Sequence, residues 1–342
     1  MLSGFTFTLA GKGRILYAKR EEKNYIRYIK SCRLHDGIFF WVKMKKIKRV
    51  AIQGGLGAYH EIAARDYFRG EALEIVPCNT FRDIFVEADK DPELIGVMAI
   101  ENTIAGSLLQ NHDLLKMNHL QIAGEHKLRI THSLAALPGR SLNDIKEVMS
   151  HPMALMQCED FLETLPGIKV VEHEDTALAA RDIRDKKMSE TAAICSSLAA
   201  EMYGLEILAR GIETNKRNFT RFFILARDAM LQEIQKDNHI NKSSLVFVLP
   251  HSEGSLSRVL SVLSFYGVNL TRIQSLPIIG REWEYQFYID LTFDDYNRYR
   301  QSIDAIMPLI SDLKVLGEYR EGKYDSTDSA ISSDYLQSPM RL

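Results

Sequence analysis

The sequence predicts an α/β protein in two parts, a larger layered region and a compact C-terminal ferredoxin-like module of βαββαβ order. Three observations predict it. From Val50 onward short apolar runs alternate with helical periods, the pattern of a layered α/β architecture. Residues 228–243, rich in Gln, Lys, Asp and Asn and lacking a long apolar face beyond Met230 and Leu231, break that pattern and read as a linker. From residue 244 to 320 the order becomes strand, helix, strand, strand, helix, strand, the split βαβ arrangement.

The elements follow in order. Residues 50–53 form a strand that runs into Gly54-Gly55-Leu56-Gly57, and a helix begins near Ala58 with Tyr59, Ile62, Ala63 and Tyr67 on one face. Residues 94–100 form a buried strand ending at Glu101, and a second helix covers 107–117, just beyond Gly106. A second lobe spans about 125–204, with a strand at 127–136, helices at 153–164 and 176–186, and an Ala-rich segment at 192–202. The strand 220–226 closes the first unit, so that 49–227 make one two-lobed region. In the C-terminal module, strands at 245–249, 268–276, 283–291 and 314–319 combine with a helix bearing Leu256, Val259, Leu260 and Leu263 and another at 296–310. Residues 321–342, rich in Ser and Asp, are expected to be a disordered tail.

Composition narrows the function classes. With 342 residues, 46% hydrophobic and 26% charged, the chain can form two or three units with sizeable cores. A net charge of −2 predicts no nucleic-acid partner. Residues 1–48 are basic, but Met44 stands directly before the Lys45-Lys46-Ile47-Lys48-Arg49 run that enters the first strand, so 1–43 read as an extension or a misassigned start. They make a poor signal peptide, and no stretch reaches the roughly 18 apolar residues of a membrane helix, so the expectation is a cytoplasmic protein without a membrane partner. Cys32, Cys78, Cys158 and Cys195 are scattered, and His112, His119, His126, His132, His151 and His173 lack partners at ligand spacing. No disulfide framework and no metal site is predicted.

Three segments can carry chemistry. Gly54–Gly57 lies between strand and helix, where backbone N–H groups approach an anion. Its Gly-Gly-x-Gly spacing departs from the Gly-x-Gly-x-x-Gly of a dinucleotide site, and a plain tight turn explains it equally. Glu101-Asn102-Thr103 stands at the carboxyl end of a strand, where open α/β sheets bind ligands, although Asn102, Thr103 and Ser107 also suit helix capping. Asn218-Phe219-Thr220-Arg221-Phe222 sets a hydroxyl and a guanidinium between two rings. Along a strand Thr220 and Phe222 share one face and Arg221 takes the other. A guanidinium grips a carboxylate and the rings wall an apolar ligand, but an amphipathic edge strand reads the same way.

Taken together with Ser150-His151-Pro152, Gln157-Cys158, Gly124-Glu125, Ile130-Thr131-His132 and Tyr203-Gly204-Leu205, these segments occur in the order that resembles the prephenate dehydratase family, over essentially 49–319. The resemblance implies a two-lobed catalytic domain like type II periplasmic binding proteins and an ACT regulatory domain over 244–320. It implies a cofactor-free lyase that turns prephenate into phenylpyruvate, a homodimer or homotetramer, and phenylalanine as effector. By that resemblance Thr220 hydrogen-bonds the leaving oxygen and Glu101 is the alternative acid, while Asn102 and Gln157 orient the substrate. Arg221, Thr103, Ser150 and the loop Gly57-Ala58-Tyr59 take the carboxylates, with Phe222 as a wall. The effector falls to Gly254, Ser255, Leu256, Asn269, Leu270, Gln274 and Ser275.

The chain departs from the family pattern in places. Ala58 and His60 stand where Thr and Ser are usual, Met153 where Gln is common, and Gln274-Ser275-Leu276-Pro277 where the family has Glu-Ser-Arg-Pro, so regulation is expected in altered form. Two other functions compete. Arogenate dehydratase runs the same elimination on an amino acid, whose ammonium would favour an acidic contact that the sequence does not locate. A solute-binding or amino-acid-sensing protein would share the lobes, but the former lacks a secretion signal here and the latter has no need of Thr220-Arg221-Phe222.

Overall fold

The structure, a computed structural model, describes residues 6–9, 15–22, 25–34 and 37–322 apart from 236–238, 279, 282 and 283, with side chains from 47 onward. The described parts of the expected basic extension are strands, and residues 323–342 of the expected tail lie outside the described residues.

Two sheets of matching plan make the two lobes. In the first, the strand Gly37–Gln53 pairs in parallel with Ala72–Cys78 on one side and Ile95–Asn102 on the other; Phe219–Ala226 then runs antiparallel between Ile95–Asn102 and Gln121–Arg129. In the second, Glu147–Ser150 pairs in parallel with Lys169–Glu172 and Thr191–Cys195, and Ser133–Ala136 runs antiparallel between Thr191–Cys195 and Glu206–Arg210. The strand expected over 127–136 is therefore two strands in two sheets. The chain crosses from the first lobe to the second at 130–132, and it returns through 211–218.

Other expectations shift for local reasons. The helix expected over 153–164 divides at Cys158, whose φ of −116° and ψ of 20° leave the helical range, into Pro152–Gln157 and Glu159–Glu163. The linker contains the helix Asp228–Ile234, held by Met230 packing on Ala123 and Ala226, and the next strand starts earlier than expected, at Lys242–Val248. The helix Phe81–Lys90, missing from the sequence reading, begins at a capping box formed by Thr80 and Asp83 and buries Ile84, Phe85 and Ala88.

The C-terminal module follows the predicted order, with its sheet ordered Asn269–Pro277, Tyr285–Thr292, Lys242–Val248, Ser311–Tyr319, all antiparallel. The helices Ser255–Phe265 and Tyr296–Ile306 cover one face over Leu245, Phe247, Ile289 and Leu291. Its other face shares a core with the first lobe: Val246, Tyr288, Leu316 and Tyr319 pack with Met98, Ile100, Leu115, Ile122, Phe223 and Leu225. Contact is so close at Gly317 that a Cβ there would lie 2.3 Å from the Ile122 carbonyl oxygen. The strand Phe219–Ala226 thus has two buried faces, Phe222 and Ile224 toward the core under the helix Tyr59–Tyr67, and Phe223 and Leu225 toward the module.

Candidate active site

A cavity of about 300 Å³ opens where the two lobes meet. The first lobe contributes Ala58, Tyr59, His60, Phe81, Asn102, Leu108, Thr220 and Phe222, the crossing segment Ile130 and His132, and the second lobe His151, Met153, Gln157, Glu174, Asp175 and Thr176. The rings of Phe81 and Phe222 flank the His60 imidazole at 5.4 and 5.0 Å. Burial pushes His60 down to about 3, and its Nε2 accepts from the Ala99 amide at 3.3 Å, so it is neutral packing rather than a cation.

One hydrogen-bonded chain runs round this cavity and joins the lobes. The Tyr59 hydroxyl stands 2.8 Å from His132 Nδ1 and 2.8 Å from the Thr131 carbonyl oxygen. His132 Nε2 lies 2.9 Å from Gln157 Oε1, which also accepts from Asn218 Nδ2 at 2.9 Å. Asn218 Oδ1 accepts from Asn102 Nδ2 at 2.8 Å, and the same nitrogen donates to Thr220 Oγ1 at 2.9 Å. Burial, opposed by Gln157 and Glu213, lowers the His132 pKa, so the ring is neutral and gives its Nε2 proton to Gln157. Asn102 is itself fixed, because its Oδ1 accepts from the amides of Ile104 and Ala105 at 2.9 and 2.8 Å. With Asn102 donating to Thr220 Oγ1, the threonine proton has no protein acceptor among the described residues and is left for a ligand.

Among the described residues no lysine or arginine lines this cavity. Backbone donors for an anion come from the amino ends of the helices Tyr59–Tyr67 and Thr176–Lys186, whose first residues are part of the wall. The amides of Ala177 and Leu178 are already taken by Asp175 Oδ1, both at 2.8 Å; those of Tyr59, His60 and Thr176 have no protein acceptor among the described residues.

Of the residues chosen from the sequence, Asn102, Gln157, Thr220, Phe222, Ala58 and Tyr59 meet in the cavity. The others do not. Arg221 lies on the reverse face of its strand and donates to Glu125 Oε2 at 2.6 Å through Nε, to Asp290 Oδ2 at 2.5 Å through Nη1 and to the Tyr319 hydroxyl at 3.2 Å. Burial opposes its charge, but Asp290, Tyr319 and Glu125 hold its pKa well above the usual guanidinium value. In turn Arg221 outweighs burial at Asp290 and at Glu125, where Lys242 assists, and both carboxyls are held below the usual range. Glu101, the cross-strand neighbour of Arg221, shares that face, 3.7 Å from Arg221 Nη1 and 3.8 Å from Arg272 Nε, with 39% of its side chain exposed. Thr103 pins the first lobe to the returning segment, donating to the Arg217 carbonyl and accepting from the Phe219 amide, each at 3.0 Å. Ser150 is buried and donates to the Ile194 carbonyl at 2.6 Å.

Three amides at the glycine loop go to protein acceptors. The amides of Gly54, Gly57 and Ala58 go to the Cys78 carbonyl, Glu61 Oε2 and the Gly55 carbonyl. Gly57, at φ +88°, passes so close to the second lobe that a Cβ would lie 2.6 Å from Ala199 Cα, and the Ser196 hydroxyl donates to its carbonyl at 2.6 Å. The expected effector residues stand on the C-terminal module, Gly254 before the helix Ser255–Phe265 that holds Leu256, and Asn269, Leu270, Gln274 and Ser275 along the edge strand Asn269–Pro277. His132, Glu174 and Asp175 of the cavity wall, and Asn218 of the hydrogen-bonded chain behind it, are among the residues that the sequence reading did not select. Asn218 was accessible to it, since it sits two residues before Thr220 in the same motif.

The family model for prephenate dehydratase matches residues 50–230, which includes both lobes and the whole of this cavity. The chain belongs to the prephenate dehydratase family. It is 36% identical over 281 residues to arogenate dehydratase/prephenate dehydratase 2, chloroplastic, of Arabidopsis thaliana, covering 79% of this chain and 72% of that one. Among solved structures, a prephenate dehydratase of Arthrobacter aurescens in complex with L-Phe superposes with a TM-score of 0.69 at 25% identity, covering 84% of this chain and 97% of that one. A structure described as GqqA, a novel type of quorum quenching acylases, gives a TM-score of 0.71 at 31% identity, covering 80% and 98%. The periplasmic-binding-protein plan of the lobes and the lyase class expected from the sequence hold for the prephenate dehydratase family to which the chain belongs.

Proposed function

We propose that the cavity binds prephenate and eliminates carbon dioxide and water from it to give phenylpyruvate. The observation that carries this reading is the Thr220 hydroxyl, held by Asn102 with no protein acceptor for its proton among the described residues, beside the ring wall of Phe222 and Phe81. In the reaction the electrons of the ring carbon to carboxylate bond enter the ring as the carboxylate departs as carbon dioxide. The ring hydroxyl leaves from the opposite carbon with one proton taken up, as water, and aromaticity drives the process. Thr220 stabilises the leaving oxygen by a hydrogen bond; a threonine hydroxyl is too weak an acid to surrender its proton outright. Glu101 does not take that part, because it faces the C-terminal module. Gln157, its Oε1 occupied by His132 and Asn218, turns its NH₂ to the substrate, and the amides of Tyr59, His60 and Thr176 receive the carboxylates. None of these steps draws on a cofactor.

Arogenate is the second reading, and Glu174 and Asp175 favour it, because they put carboxylates in the cavity wall where the ammonium of that substrate needs a partner. Turnover of prephenate and arogenate by the purified protein, measured side by side, decides between them; turnover of neither sinks both readings.

We further infer that the C-terminal module acts as an ACT regulatory domain in a homodimer or homotetramer, with phenylalanine bound along Gly254, Ser255 and Leu256 and the strand bearing Asn269 and Leu270. The order of its elements and the L-Phe complex of the Arthrobacter aurescens protein support this. Isothermal titration without saturable heat would remove phenylalanine as effector. The reading of the protein as cytoplasmic rests on the sequence; no helix of the described residues is long and apolar enough to cross a membrane.

A further inference from the structure

The edge strand Asn269–Pro277 carries Asn269 and Leu270, proposed to meet phenylalanine, and its pairing with Tyr285–Thr292 sorts its side chains. A bulge between Leu270 and Arg272 turns Leu270 to the helix-covered core of the module, while Arg272, Gln274 and Leu276 pair with Asp290, Tyr288 and Gln286. Those three partners all reach the first lobe, Asp290 to Arg221, and Tyr288 and Gln286 to Asp113 at 2.9 and 2.8 Å. The face bearing Arg272, Gln274 and Leu276 is therefore the face against the catalytic lobe. Leu276 packs on the shared core and Gln274 donates to the neighbouring Ser275 carbonyl. The acid and base of the Glu-Ser-Arg-Pro pattern being absent, Arg272 is the strand's one charged side chain on that face.

Arg272 reaches the turn that forms the cavity lip. Its Nη2 donates to Ser107 Oγ at 2.9 Å and its Nη1 to His112 Nε2 at 2.5 Å, and its Nε lies 3.8 Å from Glu101. His112 Nδ1 lies 3.1 Å from the Leu108 carbonyl oxygen; donating there fixes the tautomer whose Nε2 accepts from a guanidinium. Asn102, Ala105 and Leu108 of the same turn line the cavity. The turn is held from inside by Asn102 and from outside by Arg272.

We propose that Arg272 is a positioning residue that sets the 102–108 turn from the effector strand, and that a ligand on that strand is felt in the cavity through its contacts with Ser107 and His112. The phenylalanine part rests on the effector reading above. Arg272 touches no cavity atom, so its effect reaches Asn102 and Thr220 only by way of the turn.

The test compares the full chain with Arg272→Gln, Ser107→Ala and His112→Phe, reading phenylalanine affinity by calorimetry, hydrogen exchange of amides 103–108 with and without phenylalanine, and kcat and KM for prephenate. Expected are phenylalanine affinities within about threefold of wild type, loss of the phenylalanine-dependent exchange change in the turn, and at least a fivefold weaker response of turnover to phenylalanine. Should Arg272→Gln fail to fold, the two lobe-side variants are expected to give the same loss. Variants that bind phenylalanine and transmit its effect like wild type overturn the inference, as does a wild type that binds phenylalanine without any exchange change at 103–108. A wild type without phenylalanine binding overturns the effector reading instead and the coupling with it, while prephenate turnover reports separately on the catalytic reading.

Discussion

The two faces of the strand Phe219–Ala226 solve polarity in opposite ways. Toward the cavity, Thr220 belongs to a chain of neutral groups, Tyr59, His132, Gln157, Asn218 and Asn102. Toward the C-terminal module, Arg221 belongs to a cluster of full charges with Glu125, Asp290 and Lys242. Neutral donors and acceptors can exchange a protein partner for a ligand at little cost. Charges buried among themselves cannot, since an unpaired one costs several kcal/mol. The neutral face is suited to opening and binding, the charged face to staying shut.

The strongest break of this contrast is Thr220→Ala, for which turnover should fall by about 10²–10⁴ while the melting temperature holds. Near wild-type turnover would take Thr220 out of the chemistry. Arg221→Met should do the reverse, destabilising the fold by roughly 3–5 kcal/mol in urea titration because buried Asp290 loses the guanidinium it pairs with and Glu125 is left with Lys242 alone. If instead stability is unchanged and only KM for prephenate rises, Arg221 is a substrate ligand after all.

Acid sharpens the comparison from another side. His60 on the cavity face and His112 on the module face are kept neutral chiefly by burial, near 3 and 4, whereas an unfolded histidine takes its proton near pH 6.5. The unfolded chain therefore binds more protons as pH falls below about 6.5, and stability should drop from there toward pH 4, by on the order of 3 kcal/mol per histidine. The lowered pKa values of Glu125 and Asp290 add a further loss only below about pH 4, where the unfolded carboxyls protonate. His112→Gln should flatten the first phase in denaturant midpoints measured across pH; an unaltered profile would count against a buried neutral His112. The mildest effect is expected of Thr103→Ala, about 1 kcal/mol from two lost hydrogen bonds, with KM for prephenate unchanged, because Thr103 lies outside the cavity.

Much of this was legible in the sequence, and unevenly so. The period of two along 219–222 already assigned Thr220 and Phe222 to one face and Arg221 to the other, yet Arg221 was given to the substrate because a guanidinium suits a carboxylate. Its true partners, Glu125 and Asp290, are 96 and 69 residues away, beyond the reach of any local pattern. The order of the C-terminal module's elements was legible, though not every boundary, since they are contiguous and regular. The crossing at 130–132 was missed because Ile130-Thr131-His132 carries no Gly or Pro to mark the point where the backbone changes sheets. The glycine loop offered amides to an anion on paper, but Glu61, four residues on and fully buried, claims the Gly57 amide. Ser150 was likewise expected to take a substrate carboxylate, and its hydroxyl is consumed by the Ile194 carbonyl.

The place of the strand Phe219–Ala226 also sets the order in which a newly made chain can fold. The second lobe is complete once residue 210 has been synthesised, and all of its sheet comes from one continuous stretch. The first lobe, although begun earlier, has a gap between Ile95–Asn102 and Gln121–Arg129 until this last strand arrives. The later half of the catalytic region is therefore free to settle first, and a nascent chain stopped short of residue 219 has neither a reaction cavity nor a dock for the C-terminal module.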